Sequence, residues 1–383
     1  VNFEFATATR ILFGAGRLRE VGKLAASMGS RVLVVEGSSD RAGPLMALLH
    51  EHGLVMTSLR VTGEPTFSLV ERAAEQARRD GCDLVVAFGG GSVIDAGKAV
   101  AALITNREPL RDYLEVVGLG RPLTNRPAPL IAIPTTAGTG AEVTRNAVLM
   151  MEEERVKVSL RSPLMLPAVA LVDPELTLSL PPAITASTGL DALTQCIEPF
   201  VTPQANPITD AVAREGMQRA AGALRRAYRD GGDVEARTDM AIASLCGGLA
   251  LANAKLGAVH GFAAPLGGMF PVPHGVACAR LLAPVVEITV RALRGREPRS
   301  PALARYDEVA RILAGRSDAS ADDAALWLRE LVEELGIARL GQFGVSTDDV
   351  ARVTALARGA SSMQGHPIAL SDAELAEALA AAI

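Results

Sequence analysis

The texture of the chain changes at Pro181 and Pro182, and that change limits the folds open to it more than any single motif. Before the two prolines, short β-branched runs alternate with stretches of helical periodicity. RVLVVEG at 31–37, LVMTSLRV at 54–61, CDLVVAFGGGS at 82–92 and APLIAIPTTAGTG at 128–140 each read as a strand, the last two running into turns rich in glycine and threonine. Between them, 43–53, 66–80 and 92–104 repeat apolar residues at helical spacing, with Thr66 after Pro65 as an N-cap. Strands that alternate with such helices build a parallel sheet. Further strands are expected at 147–150, 156–160 and 168–174. After Pro182, helical patterns follow one another at 184–198, 207–228, 233–259, 275–293, 303–314, 321–336, 347–359 and 371–381. The pattern predicts α/β plus all-α, with an α/β domain over 1–182 and an all-helical domain over 183–383.

A length of 383 residues at 49% hydrophobic and 21% charged supports two domains with separate cores. Aromatics make up only 3%, so those cores fall to Ala, Leu, Val and Ile. The formal net charge is -5 and no arginine stripe is interleaved with aromatics, so no nucleic-acid partner is expected. Cys82, Cys196, Cys246 and Cys278 never form CxxC and sit among apolar neighbours, which reads as buried reduced thiols. The opening VNFEFATATRILFG lacks a basic segment followed by an apolar run, and no apolar run reaches roughly 18 residues. A cytoplasmic protein with no membrane partner is the expectation.

In VVAFGGGSVIDAGK at 85–98 a strand ends in Gly89, Gly90 and Gly91, and a helix begins about Ser92. Glycines there permit positive φ and let the backbone approach a ligand, while the helix N-terminus offers free N–H groups to a phosphate. The string is neither GxGxxG nor a P-loop, so a turn that needs glycine for its geometry competes with a pyrophosphate cradle. Asp95 falls in the first helical turn, where it would reach a ribose or nicotinamide, or cap backbone N–H groups. Thr135, Thr136, Thr139 and Thr144 of PTTAGTGAEVT place hydroxyls at a strand's C-terminal end, the edge where open parallel sheets bind ligands.

GLDALTQCIEPF at 189–200 sets Asp191 and Gln195 four apart on one helix face. Of five histidines, His50 and His52 lie in a charged, solvent-facing stretch and His366 in a loop. His260, near the end of an Ala/Leu-rich helix, and His274, after Pro273, stand among apolar residues beside glycines. They read either as hydrogen-bonded core histidines or, with Asp191, as an oxygen-plus-two-nitrogen set for a catalytic divalent metal.

Together FGGGSVIDAGKA (88–99), IPTTAGTGAEVT (133–144), GLDALT (189–194) and VHGFAAPLGG…PHGVA (259–277) resemble the iron-containing alcohol dehydrogenase family, in the wider group with glycerol dehydrogenase and dehydroquinate synthase. The resemblance implies an N-terminal Rossmann-like parallel-sheet nucleotide-binding domain, a C-terminal helical domain and an active site in the cleft. It implies reversible hydride transfer between a nicotinamide cofactor and an alcohol or carbonyl, assisted by one divalent metal, Fe or Zn. By the same resemblance Gly89, Gly90, Gly91, Ser92 and Asp95 form the pyrophosphate motif, and Thr135, Thr136 and Thr139 contact nicotinamide and ribose. Asp191, His260 and His274 match metal ligands and are the expected catalytic residues. Two positions depart: Gln195 and Ala264 stand where the family motif has histidine. Gln195 then joins the metal set with a weaker amide oxygen or holds a water, favouring zinc-like tolerance over tight Fe(II) binding, and Ala264 enlarges the pocket for a substrate bulkier or more polar than ethanol. Gly37, Ser38 and Ser39 after the first strand, where NAD-preferring members often have an acid, favour NADP over NAD, with Arg41 nearby. A homodimer or larger homo-oligomer is also implied. A maleylacetate-like reductase, with Arg145 and Lys157 near a substrate carboxylate, and a decayed nucleotide-binding protein are the alternatives.

Overall fold

The computed structural model describes residues 2–115, 117–154 and 156–383. Strands β1 (Arg10–Phe13), β2 (Arg31–Gly37), β3 (Val55–Val61), β4 (Leu84–Gly89), β5 (Leu130–Pro134) and β8 (Val169–Val172) form a parallel sheet in the order β1-β8-β5-β4-β2-β3. The two strands between, β6 (Asn146–Met151) and β7 (Val156–Arg161), pair antiparallel as a hairpin. Helices α1 (Val21–Ala26), α2 (Gly43–Glu51), α3 (Phe67–Arg79) and α4 (Gly91–Thr105), and the single turn α5 (Leu110–Tyr113), connect the sheet strands. Thr66 caps α3 as expected, accepting from Leu69 N–H.

Side chains of successive strand residues point to opposite faces, and both faces here are covered. Val32, Val34, Val86 and Ile133 pack with α1 and α2, while Leu33, Val35, Val85 and Ala132 pack with α3 and α4. That double burial explains why the strands read as continuous apolar runs. The sequence offered no expectation for β1, which has four residues and pairs only with β8.

After α6 (Pro182–Val201) come α7 (Pro207–Arg229), α8 (Val234–Asn253), α9 (Ala258–Met269), α10 (His274–Arg296), α11 (Pro301–Ala314), α12 (Ala321–Glu334), α13 (Val350–Arg358) and α14 (Asp372–Ala382). One expectation fails. The helix read over 233–259 is broken at 254–257, and α9 leaves α8 at 97°. Gly257 sits at the break because a Cβ there would lie 2.8 Å from Glu198 Oε1 and 3.0 Å from His366 Nδ1. Small residues set the packing: a Cβ on Gly216 of α7 would meet Cys196 Sγ at 2.4 Å and Cys246 Cβ at 2.9 Å. All four cysteines are buried and free, as read.

The chain divides into two compact units, one comprising Ala6–Thr136 with Gly140–Thr177, the other comprising Leu178–Ile383 with Ala137–Thr139 and the N-terminal stretch as far as Phe5. Among the described residues no single helix is long and apolar enough to cross a membrane.

Candidate active site

Helix α6 carries Asp191, Gln195 and Glu198 on one face, all three buried. Two histidines meet Asp191 from other helices. His260 belongs to the first turn of α9 rather than to a helix end, and His274 opens α10 with Pro273 as its N-cap. Asp191 Oδ1 is 3.5 Å from His260 Nε2 and 3.7 Å from His274 Nε2, too far for good hydrogen bonds. That oxygen and Gln195 Oε1 are buried with no hydrogen-bond partner among the described residues. An unpaired buried carboxylate oxygen is costly, and two imidazole nitrogens beside it make a donor set that fits a divalent cation. Burial opposes ionisation of Asp191, but His274, His260 and the Gln195 amide outweigh it and bring its pKa down to about 2. The carboxylate is therefore charged at neutral pH.

Three residues given no role in the sequence complete this arrangement. Glu198 Oε2 accepts from His260 Nδ1 at 2.6 Å, and its Oε1 accepts from Val259 N–H at 2.8 Å. One carboxylate thus fixes the Nδ1 proton of the imidazole and caps α9, leaving Nε2 toward Asp191. His366, expected in a solvated loop, instead takes the Ala258 N–H on Nδ1 at 3.2 Å. Its Nε2 lies 2.9 Å from Thr289 Oγ1, whose hydroxyl already donates to Val285 O, so the ring donates there. Burial pushes the His366 pKa down to about 4 despite the attraction of Glu198. Third, the buried thiol of Cys278 lies 3.6 Å from His274 Nε2 and 3.8 Å from His260 Nε2. Glu198 had a local signal, seven residues after Asp191 on the same face, and so did Cys278, one turn after His274. His366 had none.

In the unit that holds the sheet, the C-terminal ends of β2, β4 and β5 open onto a cavity of about 150 Å³. Gly37, Ser38 and Ser39 line it after β2, Gly89 and Gly90 after β4, and Thr135 and Thr136 after β5. Chain order reverses between β2 and β4, since β3 lies on the far side of β2. Such switch points are where open parallel sheets bind ligands. Gly91 and Ser92 begin α4, whose N-cap Gly90 makes no side-chain cap. The expected positive φ is absent: none of Gly89, Gly90 and Gly91 adopts it. At Gly89 glycine is needed for space, because a Cβ there would sit 2.5 Å from Val93 Cγ2.

Two expected cofactor residues lie elsewhere. Asp95 does not line the cavity; Oδ2 accepts from Val148 N–H at 3.0 Å and Oδ1 faces Lys98 Nζ at 3.5 Å, so it ties α4 to β6. Thr139 falls in the other compact unit. Arg41 lines the cavity and donates to Ser39 Oγ and Thr135 Oγ1, both at 3.1 Å. Glu36 accepts from Ser58 Oγ at 2.8 Å, and Asp40 pairs with Arg60 at 2.9 Å. Lys157, weighed as a carboxylate anchor, is paired with Glu64 at 2.8 Å.

Comparison with known proteins identifies the family. The family model for iron-containing alcohol dehydrogenase matches residues 8–174, and that for the C-terminal region of the Fe-containing alcohol dehydrogenase family matches 185–383. A choline dehydrogenase of Bacillus subtilis (strain 168) is 35% identical, covering 96% of this chain and 92% of its own. A 4-hydroxybutyrate dehydrogenase of Cupriavidus necator is 39% identical over 76% of this chain and 75% of its own. The crystal structure of a 1,3-propanediol oxidoreductase superposes with a TM-score of 0.92 at 31% identity, covering 100% of both chains. The chain belongs to the iron-containing alcohol dehydrogenase family, metal-dependent oxidoreductases that move a hydride between a nicotinamide cofactor and an alcohol.

Proposed function

We propose that this chain interconverts an alcohol and its aldehyde where the substrate carries a second polar group, with NADP preferred over NAD. Asp191, His260 and His274 would hold the metal, with Gln195 beside them on α6. The observation that carries the proposal is the buried, unpartnered Asp191 Oδ1 facing two imidazole Nε2 atoms. A divalent cation held there supplies Lewis-acid polarisation of the substrate oxygen, and the nicotinamide supplies the hydride acceptor.

The protein's own groups do the rest. Glu198 keeps the His260 proton on Nδ1. Gly89, Gly90, Gly91 and Ser92 present backbone to a pyrophosphate at the start of α4. Thr135 and Thr136 offer hydroxyls on the same cavity. NADP is favoured because Glu36 and Asp40 are engaged with Ser58 and Arg60, while Arg41 lies at the cavity wall. Ala264, one turn after His260 on α9, replaces a bulky side chain on that face and leaves room for a larger substrate. The substrate names of three relatives, choline, 4-hydroxybutyrate and 1,3-propanediol, share an alcohol with a second polar group. We further propose residues 1–182 as the cofactor half and 183–383 as the metal and substrate half, in a cytoplasmic homo-oligomer.

The test is anaerobic reconstitution with Fe(II) and Zn(II), then oxidation of NADPH and NADH with acetaldehyde, betaine aldehyde and hydroxyaldehydes. Stoichiometric metal lost in His260→Ala and His274→Ala, with faster turnover of the bifunctional aldehydes and NADPH, supports the proposal. Failure to retain metal or to turn over any aldehyde refutes it.

A further inference from the structure

Cys278 differs from the other three cysteines in what it faces. Cys196 lies 3.7 Å from the carbonyl of Ala243, inside the helical core. Cys278 instead stands one turn after His274 on α10, so both side chains project from one helix face. Its Sγ lies 3.6 Å from His274 Nε2 and 3.8 Å from His260 Nε2. Asp191 Oδ1 lies 3.5 and 3.7 Å from the same two nitrogens. One donor atom from each of Asp191, His260, His274 and Cys278 falls within 4.8 Å of every other.

These separations have a simple geometric meaning. With metal–nitrogen and metal–oxygen bonds of about 2.0–2.1 Å and a metal–sulfur bond of about 2.3 Å, tetrahedral ligands stand about 3.3–3.6 Å apart. The four edges that meet the histidine nitrogens, 3.5 to 3.8 Å, fall at or just above the upper end of that range, as four ligands around one point would before being drawn in. An independent observation agrees: Asp191 Oδ1, in a residue 2% exposed, has no hydrogen-bond partner among the described residues. Gln195 Oε1 is also buried with no partner among the described residues, but the Gln195 amide lies close enough to the Asp191 carboxylate to help hold its pKa down.

We propose that Cys278 is the fourth protein donor to the metal, giving an Asp–His–His–Cys set in which Gln195 orients Asp191 rather than coordinating. This rests on the metal-dependent reading above. On binding, the Sγ–H bond breaks, its proton leaves to solvent, and the thiolate forms the bond to the cation. The departure at Gln195 is thereby made good from another helix. A thiolate also moves the site toward Zn(II) and Co(II) and away from a purely oxygen and imidazole preference for Fe(II).

The test is anaerobic titration of the chelator-stripped, full-length chain with Co(II), read by absorption rather than by activity. The expected spectrum has visible d–d bands and a near-ultraviolet thiolate-to-cobalt charge-transfer band, both saturating stoichiometrically. Cys278→Ser should lose the charge-transfer band and keep the d–d bands, while Gln195→Ala should keep both. Stoichiometric Co(II) with no charge-transfer band in the unsubstituted chain, or a band that survives Cys278→Ser, overturns the Cys278 assignment and leaves the metal-dependent reading standing. Absence of any specific Co(II) uptake overturns both. Zinc-edge X-ray absorption on the unsubstituted chain needs no variant: a sulfur shell at about 2.3 Å supports the assignment, and a shell of nitrogen and oxygen alone refutes it.

Discussion

Acid should weaken this fold through His366, and the structure gives both sign and size. The His366 Nδ1 lone pair accepts the Ala258 N–H, so a proton on that nitrogen would face another donor at the positive end of α9. Burial brings the pKa from 6.5 to about 4, with Glu198 pulling the other way. A histidine with a depressed folded pKa contributes stability that is fully present above 6.5 and is lost as pH falls toward 4. The gap corresponds to about 3 kcal/mol once protonation is complete, trimmed to about 2–3 kcal/mol because the residue is only partly enclosed. His366→Gln keeps an acceptor for Ala258 and a donor for Thr289 but cannot titrate. It should cost about 1 kcal/mol at pH 7.5. Urea unfolding of both chains between pH 7.5 and 4 should show this difference shrink and then reverse as the histidine form weakens. Parallel profiles would show that His366 carries no such penalty, and the tautomer argument would fall with them.

Three further outcomes are expected. Glu198→Gln removes the charge that fixes the His260 tautomer and should weaken Zn(II) affinity about 10- to 100-fold in a competitive chelator titration; an unchanged affinity would deny Glu198 that role. Gly89→Ala drives a methyl into Val93 and should cost about 1–3 kcal/mol by thermal unfolding, much of it recovered in the double variant with Val93→Ala. Arg41→Ala should weaken NADPH binding by about tenfold, the loss of about 1.4 kcal/mol, with NADH changed far less in a fluorescence titration; equal losses for both cofactors would remove the NADP preference.

What was legible in the sequence follows from how local each signal is. Strands β2, β4 and β5 were readable because burial on both faces makes them uninterrupted apolar runs ending in glycine or threonine. Strand β1 was not, since its four residues owe their place to pairing with β8, more than 150 positions away in sequence. The break between α8 and α9 escaped notice because Ala and Leu continue on both sides of it. Its cause is the approach of Glu198 and His366 to Gly257, from about 60 and 109 positions away. The same distance in sequence hid the neighbours of the histidine cluster. Asp191, His260 and His274 announced themselves by type and setting, whereas Cys278 was read by its apolar neighbours and not by the face it shares with His274. Of the two reasons read for the glycines after β4, positive φ is absent, and Gly89 needs room for Val93, a contact that no local pattern announces.

The cap on α9 also bears on when the site can exist during synthesis. His260 is held by Glu198, made earlier, while the Ala258 N–H at the start of the same helix goes to His366, made 108 positions later. A nascent chain that already exposes Asp191, His260 and His274 therefore still lacks the group that settles the start of α9. Metal captured before that point would meet a loose set of donors open to the wrong ion. Metal captured afterwards would meet a finished one, so the order in which Glu198 and His366 are made would set when specific loading can begin.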